Sequence, residues 1–311
     1  MPPLEPSLAT LPQPAMRYFV ATRPAFLSVT FVGCLLGLAS AAGTGVTLDP
    51  ATATLTLLSA LLAHAGANLV NDYYDAKSGC DASNDERLFP FTGGSRVIQN
   101  GVLSLQEAGN FGYLLLILVI PAGLWLTAAS APGLIGIGLA GLLIGWAYSA
   151  PPLQLQSRGL GEFGIVAAWL LVVVGTDFVQ RRGLSFQPVA AGLGFALLVA
   201  NVLYINQFPD RKADARAGKR TLVVRLGARR ARWGYPLLAL LCHGWTVAMV
   251  VLGQLPGLAL ISLLAAPASL AATRNLWANA ELPFQLLPGL KATILAASLQ
   301  GLLMTATLIW P

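Results

Sequence analysis

The sequence predicts an all-α polytopic membrane protein, nine transmembrane helices in one bundle, and three features carry that expectation. Hydrophobic residues make up 56% of the 311 and charged residues 10%, with a mean hydropathy of +0.68, far outside the range of soluble domains. Uncharged runs recur at the length a helix needs to cross a bilayer, about 20 residues. Basic residues collect between alternate runs, as retention of Lys and Arg in the cytoplasm requires.

Each element follows in order. The first twenty residues mix Pro, Glu5 and Arg17 and lack the charged-then-apolar order and small-residue cleavage site of a signal peptide, so insertion falls to the first span. That span lies within 24–48. The second runs from about 51 into a polar cluster ending at Asp75, and a charged loop follows to about 104. Residues 108–157 carry no charge, and Ala131, Pro132 and Gly133 divide them into two helices. The fifth span is expected at about 163–180, with Asp177, Arg181 and Arg182 as solvated end residues, and the sixth over 184–208. The turn Gly253 to Gly257 splits 233–273 into two more helices, and the ninth covers about 289–310. The whole chain, 1–311, reads as a single domain.

Across nine alternating spans, seventeen Lys and Arg fall on one side and only Arg181 and Arg182 on the other. The expectation is an inner-membrane protein of a prokaryote with the N-terminus and large loops in the cytoplasm and the C-terminus outside. The net charge of +6 follows from this bias and gives little support to nucleic acid as a partner, while the basic loops suit contact with anionic membrane lipid. No feature marks an obligate protein partner. Cys34, Cys80 and Cys242 form neither a CxxC pair nor a disulfide framework. The 32 glycines match no GxGxxG or Walker pattern and suit close helix packing.

Residues 64–81, HAGANLVNDYYDAKSGCD, place carboxylates at the end of a long apolar run. At about 100° per residue, His64, Asn68, Asn71, Asp72 and Asp75 share an arc of roughly 100°. An intramembrane carboxylate costs about 2.5–3.5 kcal/mol on insertion scales, and two on one face repel, so a counter-cation is called for. Hard oxygen ligands at a helix end point to Mg²⁺, which keeps waters and takes substrate phosphates. Residues 206–220, NQFPDRKADARAGKR, repeat the pattern with Asn206, Asp210 and Asp214 at i, i+4 and i+8, although Pro209 is expected to kink or end the helix. Both motifs close even-numbered spans on one side, 138 residues apart from Asp72 to Asp210, as two pseudo-repeated halves facing each other would place them.

Two such clusters, flanked by Lys77, Arg96, Lys219 and Arg220, can hold a diphosphate through bridging Mg²⁺ and direct contacts. The chemistry is then ionisation of an allylic diphosphate, with Tyr73, Tyr74, Tyr148 or Phe208 offering faces to the cation and apolar helices accepting an isoprenoid tail. His64 is open between an interhelical hydrogen-bonding role and a substrate contact. Tyr148 is open between lining an acceptor pocket and sitting as an interfacial aromatic.

On these residues, NDYYDxxxxxD at 71–81 and NxxxDxxxD at 206–214, the chain resembles the UbiA-type intramembrane aromatic prenyltransferases over nearly its whole length. The resemblance implies that Asn68, Asp72, Asp75, Asn206, Asp210 and Asp214 surround a metal–diphosphate site, with Asp81 extending the first motif. Asn71, Lys77, Arg96, Tyr148, Lys219 and Arg220 are candidate substrate contacts beside that site, and the resemblance implies a polyprenyl diphosphate and an aromatic small molecule as substrates. Segments GGSRVIQNG (93–101), YSAPPLQLQSRGLGE (148–162) and ADARAGKRTLVVRLG (213–227) are most similar to the branch that prenylates 1,4-dihydroxy-2-naphthoate in menaquinone synthesis. The hydroxybenzoate branch carries a basic pair shortly after the tyrosine matching Tyr148, where this chain has Pro152, Leu153 and Gln154.

Two other classes are weighed against this reading. A secondary transporter also brings acidic residues together, but near the bilayer midplane, whereas both motifs here run into charged loops. A lipid head-group phosphotransferase would carry a DGxxAR-type motif, which is absent from the sequence.

Overall fold

The computed structural model describes residues 4–310, and every regular element among them is helical. A short helix the sequence reading did not expect, α1 (Pro14–Ala21), leads into the spans α2 (Pro24–Ala42), α3 (Pro50–Lys77) and α4 (Leu105–Ala129). Then come α5 (Leu134–Ala147), α6 (Gly161–Arg181) and α7 (Gln187–Arg216), followed by two short helices, α8 (Leu222–Leu226) and α9 (Ala228–Ala231). Helices α10 (Gly234–Val251), α11 (Ala266–Asn279) and α12 (Leu287–Ile309) complete the chain.

Among the described residues eight stretches are long and apolar enough to cross a membrane, with 228–251 and 257–279 counted as continuous. The expected span missing from these eight is the fourth, α5, whose 14 residues give only about 21 Å of helix against a hydrocarbon core of about 30 Å. The integral membrane architecture is as expected, and the count is eight long helices and one short one.

Local chemistry explains the boundaries. Asp49 caps α3, its side chain accepting from Thr52 N at 2.9 Å, and Pro50 opens the first turn, where a missing N–H costs nothing. Ser104 and Glu107 form a capping box on α4. Pro209 neither ends nor splits α7, which runs on to Arg216. The surrounding bundle supports the break in the hydrogen-bond ladder, as membrane helices commonly allow.

The main core joins α2, α6, α7, α10 and α12 around Leu36, Val173, Phe195, Leu198 and Met304. Close approach is built in by glycine. A Cβ on Gly37 would lie 2.5 Å from the Val173 carbonyl, and Gly66 and Gly112 face each other across α3 and α4, where a Cβ on either would fall within 3.3 Å of the other's carbonyl oxygen. On the face opposite the acidic motifs, Asp177 is fully buried and pairs with Arg181 at 2.8 Å. This corrects the expectation of a solvated end residue: Arg181 also reaches Thr44 Oγ1 at 2.9 Å, so the pair fastens α6 to the end of α2. Gln180 adds a tie to Asp49 N at 2.7 Å.

Candidate active site

The last two turns of α3 and α7 lie beside each other, and the loops that follow them knit the two ends together. Lys219 is the central knot. Its Nζ sits 2.7 Å from Asp75 Oδ1 and 3.4 Å from Asp214 Oδ1, with the side chain nearly buried. Burial alone would push this ammonium's pKa down, but the two carboxylates outweigh it and hold the group well above its ordinary range. Lys219 is therefore a fixed positive charge. Gly218, at φ +76°, turns the chain back so that this side chain reaches inward.

The remaining carboxylates are held one by one. Asn84 donates to Asp210 Oδ1 at 2.6 Å, and Cys80 Sγ donates to Asp214 Oδ1 at 3.3 Å. Ser95 N donates to Asp72 Oδ2 at 3.0 Å. The other oxygen of Asp72 is buried without a hydrogen-bond partner, 3.9 Å from Arg23 Nη1. Arg23 takes its place from a left-handed backbone conformation, φ 58°, at the N-cap of α2. Asp81 lies buried in the loop beyond α3. Desolvation, together with the charges of Asp75 and Asp72, raises its carboxyl well above the usual range.

Gly94 shows how tightly these oxygens converge. At φ +74° it carries no Cβ, and one built there would fall 2.5 Å from Asp81 Oδ2 and 3.1 Å from Asp72 Oδ1. An unpartnered carboxylate oxygen facing a second, poorly compensated carboxylate is a donor set suited to a hard cation. Among the described residues no three His, Cys, Asp or Glu side chains form a closed metal cage. The arrangement fits an ion that completes its shell with water and phosphate oxygens.

Amide side chains frame the cluster. Asn68 donates to the Thr22 carbonyl at 3.0 Å and Asn206 to the Phe91 carbonyl at 3.3 Å, parallel roles in the two motifs. Asn71 donates to Asp75 Oδ2 at 3.2 Å and Ser149 Oγ at 3.0 Å. Gln156 reaches Asp75 Oδ1 at 3.4 Å. Behind this rim, Gln207 donates to the buried Glu162, which secures the start of α6 to α7.

From this polar mouth a cavity of about 690 Å³ extends between α3, α4, α5 and α6 as far as Thr176 and Val179, with walls that include Ala60, Ala63, Leu142 and Val172. Asn68, Asn71, Asp75, Asp81, Tyr148, Asn206, Asp210, Asp214 and Lys219 all line it. Asp72 is set just behind, covered by Arg23 and Gly94.

Three expected substrate contacts are not in that lining. Lys77 is exposed, with its ammonium 5.9 Å from the Tyr73 ring centroid. It lies five residues after Asp72, about 140° away around the helix. Arg220 is exposed, since neighbouring side chains on a non-helical segment diverge and Lys219 takes the inward direction. Arg96 is buried but turned aside, donating to the Asp81 carbonyl at 2.6 Å and lying 3.7 Å from Glu5, so it shapes the loop that carries Asp81. In the other direction, the sequence reading missed Arg23, Asn84, Ser149 and Gln156. Only Arg23 left a sequence signal, a basic residue directly before the proline that opens a span.

A model of the UbiA prenyltransferase family matches residues 27–283. The chain belongs to this family. Curated relatives agree: a 1,4-dihydroxy-2-naphthoate octaprenyltransferase of Escherichia coli (strain K12) is 31% identical, the match covering 90% of this chain and 91% of that protein. One of Bacillus subtilis (strain 168) with the same name is 26% identical over 93% of this chain and 90% of its own length. A solved UbiA homologue from Archaeoglobus fulgidus bound to DMAPP and Mg²⁺ has the same fold, with a TM-score of 0.64 and 20% identity over 93% of this chain and 99% of that one. This UbiA prenyltransferase thus presents two acidic motifs and a basic knot at the mouth of an apolar cavity.

Proposed function

We propose that this prenyltransferase moves a polyprenyl group from its diphosphate onto 1,4-dihydroxy-2-naphthoate, with loss of CO₂, and that Mg²⁺ binds at the acidic cluster. The observation that carries the reading is the meeting of the two carboxylate sets, one from each half of the chain, across Lys219 at the mouth of a long apolar cavity. A diphosphate needs cations at such a mouth, and a prenyl chain gains about 0.8 kcal/mol per buried CH₂ along such walls.

Asp72, Asp75 and Asp81 from one motif and Asp210 and Asp214 from the other, with Asn68 and Asn206 beside them, would hold the ion. Bound there, Mg²⁺ neutralises charge developing on the departing diphosphate. Lys219 and Arg23 add positive charge already fixed in place. The walls exclude water from the allylic cation, and Tyr148 lines the cavity near its mouth, where an acceptor ring would enter. In the transfer, the allylic C–O bond breaks and a C–C bond forms at the ring carbon bearing the carboxylate. The carboxylate then leaves as CO₂, and its bonding pair restores the aromatic ring.

The acceptor assignment draws on the names of the relatives and on Pro152, Leu153 and Gln154, which stand where a hydroxybenzoate enzyme has basic residues. Purified protein with Mg²⁺, a polyprenyl diphosphate and competing carboxyl-labelled naphthoate, hydroxybenzoate and homogentisate tests it. One labelled CO₂ per prenylated naphthoate is expected. Prenylated hydroxybenzoate as the main product would refute the acceptor and leave prenyl transfer standing.

The reading includes an orientation. Seventeen of the nineteen basic residues fall on the mouth side of the alternating spans, which supports a mouth at the cytoplasmic face of the inner membrane. A cysteine in place of Arg216 should react with impermeant reagent only in inside-out vesicles, and labelling in intact cells would reverse the assignment.

A further inference from the structure

Below Asn68 the cavity turns apolar, and most polar residues that line it are already satisfied by their own helices. Thr56 donates to the Thr52 carbonyl, Thr127 to Gly123 and Thr176 to Val172, each at 2.7–2.8 Å. Ser59 Oγ and Trp169 Nε1 lack a hydrogen-bond partner, but both atoms are sealed away from the cavity space. His64 differs. Its Nδ1 lies 2.8 Å from Thr30 Oγ1 on α2, and its ring meets the edge of Trp169 on α6 at 5.0 Å and 87°. Two neighbouring helices thus fix the imidazole. Its Nε2 has no hydrogen-bond partner among the described residues and is not among the atoms sealed from solvent, and the residue lines the cavity.

We infer that His64 is an acceptor-binding residue, its Nε2 forming a hydrogen bond with a ring hydroxyl of the aromatic acceptor inside the cavity. The inference rests on the prenyltransferase reading and deepens it. A polyprenyl tail has no polar atom beyond its diphosphate and would leave this nitrogen unpaired, at a cost of about 1–3 kcal/mol. The acceptor is the substrate that brings polar atoms to this depth. His64 stands eight residues before Asp72, about 12 Å along the helix, a distance that a diphosphate followed by a fused bicyclic ring spans. The Thr30 contact permits either imidazole tautomer, and a phenolic hydroxyl, both donor and acceptor, pairs with Nε2 in either case.

Two substitutions separate this role from a purely structural one. Asparagine places its amide near the position of Nδ1 and keeps the Thr30 bond, while glutamine reaches the position of Nε2 and keeps the cavity bond. Steady-state transfer is measured with the full chain in lipid nanodiscs, with Mg²⁺, a polyprenyl diphosphate, and dihydroxynaphthoate or its mono-O-methyl ether. His64→Asn should raise the acceptor KM about 3–10-fold, the worth of one hydrogen bond, with the donor KM unchanged. His64→Gln should stay within about 3-fold of wild type. The penalty that O-methylation imposes on the wild type should disappear in His64→Asn. The reverse ranking, or a donor KM that moves in parallel, overturns the inference and leaves His64 as a strut between helices. Absence of transfer to any hydroxylated acceptor by the wild type would instead overturn the proposed function itself, and this inference with it.

Discussion

Replacing Lys219 with methionine keeps the length of the side chain and removes the charge between Asp75 and Asp214. At an effective dielectric constant of 20, contacts of 2.7 and 3.4 Å correspond to attractions of about 6 and 5 kcal/mol. Desolvation of the ammonium cancels much of this, and removal of one partner from a buried ionic network costs about 3–5 kcal/mol net. The variant should therefore unfold at clearly lower temperature in the absence of divalent cations, followed through the emission of the seven tryptophans. Added Mg²⁺ should stabilise it more than it stabilises the wild type, because the ion then supplies the missing positive charge and binds only the folded state. Transfer should fall at least about 100-fold, since 2.7 kcal/mol already corresponds to that factor. A variant with wild-type unfolding temperature, Mg²⁺ response and turnover would show that Lys219 is a spectator held by topology alone.

Two further outcomes follow from the same geometry. Asp72→Asn and Asp210→Asn keep oxygens that can accept from Ser95 N and Asn84, so both should fold while losing at least about 100-fold in transfer; EDTA should stop the wild type and Mg²⁺ restore it, and a fully active variant would remove the metal site. Gly94→Ala forces a side chain into a left-handed position, at about 1–2 kcal/mol, and directs it at Asp81 and Asp72. The Mg²⁺ concentration for half-maximal transfer should rise about tenfold, and an unchanged titration would count against convergence of these carboxylates on one ion.

The charge-free segments and the acidic stripe were legible because a bilayer penalises each polar residue heavily enough to leave only necessary ones. That pressure made Asp75, Asp210 and Asp214 readable at helix ends. It does not act on loops, where the sequence pointed to Asp81 and Lys219 but not to Asn84, Ser149 or Gln156. Asn84 and Gln156 reach the site from segments without periodicity, and Arg23 reaches it from the left-handed position just before Pro24. Lys77 and Arg220 were drawn in by proximity along the chain, although direction decides which side chains meet. Asp177 was misread as solvated even though Arg181 stands at i+4, the spacing at which a helix pairs opposite charges. Pro209 was given a helix-ending weight that holds in water and less so in a packed membrane bundle.

The partnership of Asp75 with Lys219 also has a history in time. Lys219 is synthesised 144 residues after Asp75, and at about 5–20 residues per second the ribosome needs roughly 7–30 s to deliver it. Asp72 has Arg23 upstream from the start, whereas Asp75 has no cation of its own until α7 and the following turn emerge. Throughout that interval water is the cheaper neighbour for the last turns of α3. Final seating of this helix is therefore a late event in the biogenesis of the protein, completed only when the second half of the chain arrives.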